Sequence, residues 1–85
     1  MTESQERQRR RVFGVISQVL GVPVESITDD TSPDTVSAWD SQSHLNLVVA
    51  LEGEFAIALS DDDVTDMLSV GLVLSILRDR GVADL

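Results

Sequence analysis

The sequence predicts an all-α domain: a four-helix bundle with three longer helices, one short one and a long loop between helices one and two. Three observations lead there. Apolar residues recur at the three-to-four spacing of helices and not at the alternation of strands. Gly, Pro, Ser and Asp punctuate the pattern at its breaks. The candidate core is Val, Leu and Ile, with one Trp, two Phe and no Tyr to supply larger rings. A chain of 85 residues has room for a single core. Residues 1–85 are therefore one domain, with 1–4 and 83–85 expected to fray.

The first helix is expected from about Ser4 to Leu20, where Val12, Phe13, Ile16, Val19 and Leu20 form the apolar stripe and Gly21 with Pro23 stops the run. Residues 21–40 hold both prolines among Thr, Asp and Ser, the mixture of a loop. Loops of that length are uncommon in compact domains and are usually functional or disordered. Val22, Val24, Ile27 and Val36 are spaced through it as plugs for the core, which favours order.

The second helix should start at Asp40 or Ser41 and run to about Ala56. At 100° per residue, His44, Leu47, Val48, Leu51 and Phe55 share the buried sector, while Gln42, Asn46, Val49 and Gly53 face outward. A short segment, Ser60 to Leu68, opens on Ser60 as cap with Asp61, Asp62 and Asp63 on the first turn, where the helix dipole favours negative charge. The last helix takes Ser69 as cap and runs to about Arg80, burying Val70, Val73, Leu74 and Leu77. Gly81 ends it, and Arg78 and Arg80 lie near its negative end.

The formal net charge is -9. Glu3 and Glu6 are the two of the 15 acids that precede Val12, which leaves 13 acids against two arginines in the rest of the chain. Such a surface repels nucleic-acid phosphates and steers encounter with basic partner patches. The cluster Arg7, Arg9, Arg10 and Arg11 has no interleaved aromatic and belongs to a solvated first turn or two. With no cysteine there is neither a disulfide frame nor a thiolate metal site, and "SDDDV" lacks the central glycine of a calcium loop. No apolar run approaches the roughly 20 residues of a membrane span. The expectation is a cytoplasmic monomer that binds no nucleic acid and no metal.

The stretch "AWDSQSHLNL", residues 38–47, carries the functional question. A serine where a helix begins has two uses: its hydroxyl caps a backbone amide, or it stands exposed at the positive end of the helix dipole, where a phosphate ester is stabilised. His44, three residues on, has no acid in sequence to orient it and no nucleophile pair. It is therefore expected to be a partly buried structural histidine and not a base.

"WDSQSHLNLVVALEGEFAI", from Trp39 to Ile57, resembles the prosthetic-group helix of acyl carrier proteins, in which Asp-Ser-Leu opens a helix that continues through aliphatic residues to an "ALEEEF"-like acidic end. The order and lengths of the other segments resemble that family over about residues 5 to 82. The resemblance implies a bundle of acyl-carrier type. It also implies that Ser41 is the serine to which a phosphopantetheinyl transferase attaches phosphopantetheine from coenzyme A, in a magnesium-dependent reaction on the transferase. The arm would bring the thiol that the chain lacks. The chain itself would catalyse nothing, and would shuttle acyl intermediates among acyl-loading, condensing and tailoring enzymes with basic docking patches.

Position by position, the resemblance implies that Asp40 presents charge to the transferase, that Val49 offers an apolar contact to partner enzymes, and that Glu52 and Glu54 pair with their basic patches. Three positions depart from the family pattern. Gln42 stands where Leu is usual, Asn46 where an acid is common in fatty acid synthesis, and Gly53 interrupts the acid run. All three lie on the outward face and so bear on docking. With Trp39 and the absence of lysine they favour a stand-alone carrier of polyketide or related specialised biosynthesis over the primary fatty acid carrier. Two other readings stay open: an unmodified carrier-like interaction module whose Ser41 is only a cap, and an aminoacyl carrier.

Overall fold

A computed structural model describes residues 3–82 and 85, and the side chains from Gln5. Four α-helices follow in order: α1 (Glu3–Leu20), α2 (Ser41–Phe55), α3 (Asp61–Asp66) and α4 (Val70–Asp79). The expected fraying of residues 1–2 and 83–84 lies outside the described residues. Leu85 packs against the core, and Arg78 Nη2 donates to its carbonyl at 3.2 Å.

One core joins all four helices. Val12, Ile16 and Leu20 enter it from α1, Leu47, Val48 and Leu51 from α2, and Val70, Val73, Leu74 and Leu77 from α4. Met67, just beyond α3, is fully buried among them. The helical stripes are thus the ones that the spacing predicts, with Phe13, Val19 and Phe55 half-buried at the edge. Gly21 ends α1 at φ 69° and Gly81 follows α4 at φ 97°, left-handed positions that glycine adopts without a Cβ penalty.

The loop between α1 and α2 is held at several points. Ile27 and Trp39 are buried, Val22 and Val36 half-buried, and a 3-10 turn spans Val24–Ser26. Val24 is not the expected plug: that turn leaves it 41% exposed. Thr31 is buried instead. Its Oγ1 accepts from the Thr28 amide, and its carbonyl accepts from Val70 N at 2.8 Å. Asp29 O likewise accepts from Gly71 N at 2.8 Å, so two loop carbonyls satisfy amides at the start of α4. Gly71 permits the approach, because a Cβ there would meet Asp29 O at 3.3 Å.

The short helix ends at Asp66, sooner than the expected Leu68, because Met67 leaves helical geometry and Ser69 already caps α4 through Leu72 N. At its start, Ser60 and Asp63 form a reciprocal capping box. The Asp63 carboxylate also accepts two bonds from Arg80, at 2.7 and 2.8 Å. Arg80 therefore bridges α4 to α3, beyond its expected place at the negative end of its own helix. That guanidinium, more than the Ser60 amide, holds the Asp63 carboxyl well below the usual carboxylate range.

Three of the four arginines of α1 are paired as well. Arg9 meets Asp29 at 2.6 Å, Arg10 meets Glu6 at 3.8 Å and Arg11 meets Glu54 at 3.3 Å. Arg9 and Arg11 also lie over the rings of Phe13 and Phe55. These pairs partly neutralise the cluster and dock α1 on the loop and on α2.

Candidate functional site

The site is built at the start of α2. Asp40 has extended backbone geometry and is the N-cap: its Oδ1 accepts from the Ser43 amide at 2.9 Å. That bond, more than any other contact, lowers the Asp40 pKa below its ordinary value. Ser41 is therefore the first helical residue and not the cap. This answers the question that the sequence left open about the capping group. The Ser41 side chain is exposed, and no hydrogen bond engages its hydroxyl among the described residues.

Beside Ser41 runs a groove of about 540 Å³, lined mainly by apolar atoms between the loop, α2 and α3. Trp39, Leu45, Met67 and Leu68 supply its apolar wall, and Asp40, Ser41 and Thr65 its polar edge. Leu45 and Leu68 are more than half exposed, at 56% and 62%. His44 also lines the groove, half-buried as expected. Its Nδ1 accepts from Trp39 Nε1 at 2.9 Å, and its Nε2 lies 2.7 Å from Val64 O.

The outward residues of α2 fall where the spacing places them. Val49 is 68% exposed, and Gln42, Asn46 and Gly53 are also exposed. Gln42 Nε2 donates to Asn46 Oδ1 at 3.4 Å along the helix. The two acids at the far end are placed differently from the rest. Glu52 Oε2 accepts from the Leu59 amide at 2.9 Å, and Glu54 is paired with Arg11. Both carboxylates are thus engaged within the chain.

Sequence reasoning did not find Trp39 as a wall of this groove or as the partner of His44. The two are five residues apart across a helix start, a spacing that no helical period brings together. The lone tryptophan next to an Asp-Ser pair was the available signal.

A compact helical bundle with an exposed serine at a helix N-terminus, beside an apolar groove, defines a carrier domain of acyl-carrier type. The chain matches a profile of the family described as "Phosphopantetheine attachment site" over residues 10–77. It belongs to that family, whose prosthetic group is phosphopantetheine. The fold matches a solution NMR structure of the holo acyl carrier protein from Geobacter metallireducens with a TM-score of 0.76. That protein is 26% identical, and the match covers 85% of this chain and 83% of that one.

The residues present fit such a group. A phosphate ester on Ser41 Oγ would stand at the positive end of α2, a 15-residue helix. No hydrogen bond would have to break to form it, and the apolar groove lies alongside. When bound, the group supplies the thiol that this cysteine-free chain lacks.

Proposed function

We propose that Ser41 is the attachment residue and that the chain carries acyl intermediates as thioesters on its arm, passing them between separate enzymes. One observation carries the reading: Asp40 does the capping, so the Ser41 hydroxyl at the first position of α2 is free to react. Asp40, Gln42, Asn46 and Val49 form the docking face around it. The exposed acids Asp61, Asp62 and Asp66 of α3 add to its negative field, which suits basic patches on a transferase and on loading, condensing and tailoring enzymes. Such contacts are weak and fast, as a shuttle requires.

The neutral Gln42, Asn46 and Gly53, together with Trp39 and the absence of lysine, support a place in polyketide or related specialised biosynthesis. On this reading the protein is a cytoplasmic monomer, a substrate of the transferase and not itself a catalyst.

The test is intact-mass spectrometry before and after incubation with coenzyme A, magnesium and a broad-specificity phosphopantetheinyl transferase. The expected result is a single phosphopantetheinyl addition that is absent in Ser41→Ala. No addition, with a control carrier modified in the same tube, would make the chain an unmodified interaction module. Gln42→Leu would then show whether that one position withholds recognition. A loading assay with acyl-activating against amino-acid-activating enzymes separates an acyl from an aminoacyl carrier.

A further inference from the structure

The contacts of His44 select one tautomer of its ring. An indole N–H can only donate and a carbonyl can only accept. Nδ1, facing Trp39 Nε1, must therefore be the bare nitrogen, and Nε2, facing Val64 O, must carry the proton. The ring is bonded at both ends, with its plane 23° from the indole and the centroids 6.2 Å apart.

Each end holds one flank of the Ser41 site. Trp39 is buried, 3% exposed, and is directly followed by Asp40 and Ser41, so anchoring its indole anchors the backbone that enters α2. Val64 belongs to α3, across the groove. The His44 amide also closes the first turn of α2 onto Asp40 O at 2.8 Å.

We propose that His44 is a positioning residue for Ser41: by holding the indole of Trp39, and with it the backbone that enters α2, it sets the direction in which the Ser41 hydroxyl leaves the helix. The inference rests on Ser41 being the attachment residue. Protonation of Nδ1 would set one N–H against another and release Trp39, so the positioning belongs to the neutral ring. Among the described groove residues Asp40 is the charged group that accompanies His44, and its Oδ1 is committed to the Ser43 amide. On α3, Asp63 is turned to Arg80, while Asp61, Asp62 and Asp66 are exposed to solvent.

Two substitutions divide the two bonds. In His44→Asn the amide oxygen falls near the place of Nδ1 and can still accept from Trp39, while the link to α3 is lost. In His44→Gln the amide nitrogen falls near the place of Nε2 and can still donate to Val64 O, while Trp39 loses its acceptor. Neither side chain titrates. The experiment follows transfer of phosphopantetheine to wild type and both variants at neutral pH. It also follows the indole N–H resonance of Trp39 as pH falls, a single signal because the chain has one Trp.

His44→Gln is expected to lower kcat about tenfold, as misplaced reacting groups do, with KM unchanged because the docking face is intact. His44→Asn should stay within about twofold of wild type in kcat. In wild type the indole signal should move with the His44 ring resonances at one midpoint, and in His44→Asn it should not move. His44→Gln modified at the wild-type kcat, or an indole indifferent to His44 titration, overturns the proposal.

If far-UV circular dichroism shows that a variant has lost its helices, wild type decides. A kcat, taken relative to a control carrier without the histidine, that falls at the indole midpoint upholds the role, and one that does not fall rejects it. Wild type left unmodified beside a modified control would overturn the attachment reading and the positioning role together. A defect confined to the variants, or its absence there, bears on His44 alone.

Discussion

At the C-terminal end of α2 the polar groups are closed on one another. Glu52 takes the Leu59 amide, Glu54 takes Arg11, Ser60 and Asp63 cap each other, and Asp63 takes Arg80. At the N-terminal end one carboxylate, Asp40, closes the helix, while the Ser41 hydroxyl and the apolar faces of Leu45, Val49 and Leu68 stay open to solvent. The same helix therefore has a structural end and a reactive end. Acidity by itself does not tell them apart: carboxylates at the closed end hold the chain together, and at the open end acids also stand beside the residue proposed to react.

The largest expected effect tests this division directly. Ser41→Ala should abolish phosphopantetheine addition and leave Tm unchanged, because the hydroxyl it removes has no hydrogen-bond partner among the described residues. Asp40→Ala should do the converse in stability, lowering Tm by a cap-sized amount, since it orphans the Ser43 amide. Thermal melts of both, run beside the mass measurement, check the pair. A Tm loss in Ser41→Ala equal to that in Asp40→Ala would mean that the serine shares the capping, and the two ends would no longer differ in kind.

The next effect belongs to the closed end and is read by acidification. The folded-state pKa of Asp63 is depressed by Arg80, so its contribution is fully present above the unfolded carboxyl value of about 3.9 and is lost as pH falls toward the folded value. Below that unfolded value the unfolded chain binds the proton more readily and is favoured. Wild type should therefore lose Tm steeply in that range. Asp63→Asn should start lower at neutral pH and fall less, with the remaining slope owed in part to Asp40, whose pKa is also lowered. Equal slopes would show that the Arg80 contact adds nothing to the fold.

Much of this architecture was legible in the residues. The stripes Val12, Ile16 and Leu20 and Leu47, Val48 and Leu51, the stops at Gly21 and Gly81 and the caps Ser60 and Ser69 all follow from local periodicity and local hydrogen bonding. What escaped depends on contacts between distant segments. Arg80 reaching Asp63, Thr31 taking the Val70 amide and Glu52 taking Leu59 have no signature within one helical turn. At the site, Ser41 stood out by its surroundings, but whether Asp40 or Ser41 caps α2 turns on one residue of helix register. The Trp39–His44 bond was out of reach for the same reason.

A smaller effect lies in the backbone of the closed end. Gly53 sits in the interior of α2 with open space where a Cβ would go, and Ala56, at φ 53°, holds the left-handed position that closes the helix. The two residue types are reversed relative to their backbone preferences. Gly53→Ala should stabilise by about 1 kcal/mol and Ala56→Gly by about 1 kcal/mol, both measured by urea unfolding. If Gly53→Ala is stabilising yet raises KM for the transferase, the bare backbone at Gly53 belongs to the docking face, and the open region extends further along α2 than Val49.

The smallest expected effect is the sharpest test of where docking ends. The Arg11 and Glu54 side chains are 43% and 42% exposed, so solvent screens their pairing, and Glu54→Gln should cost no more than about 1 kcal/mol. Arg11 keeps its place over the Phe55 ring and its bond to the Glu54 carbonyl at 3.2 Å, both of which survive the substitution. Because the carboxylate already faces a cation of its own chain, KM for phosphopantetheine transfer should stay within about twofold of wild type at low salt. A several-fold rise in KM that salt abolishes would mean that a partner's cation displaces Arg11. The pair would then be a docking contact held in reserve, and the closed end of α2 would be closed only in the free protein.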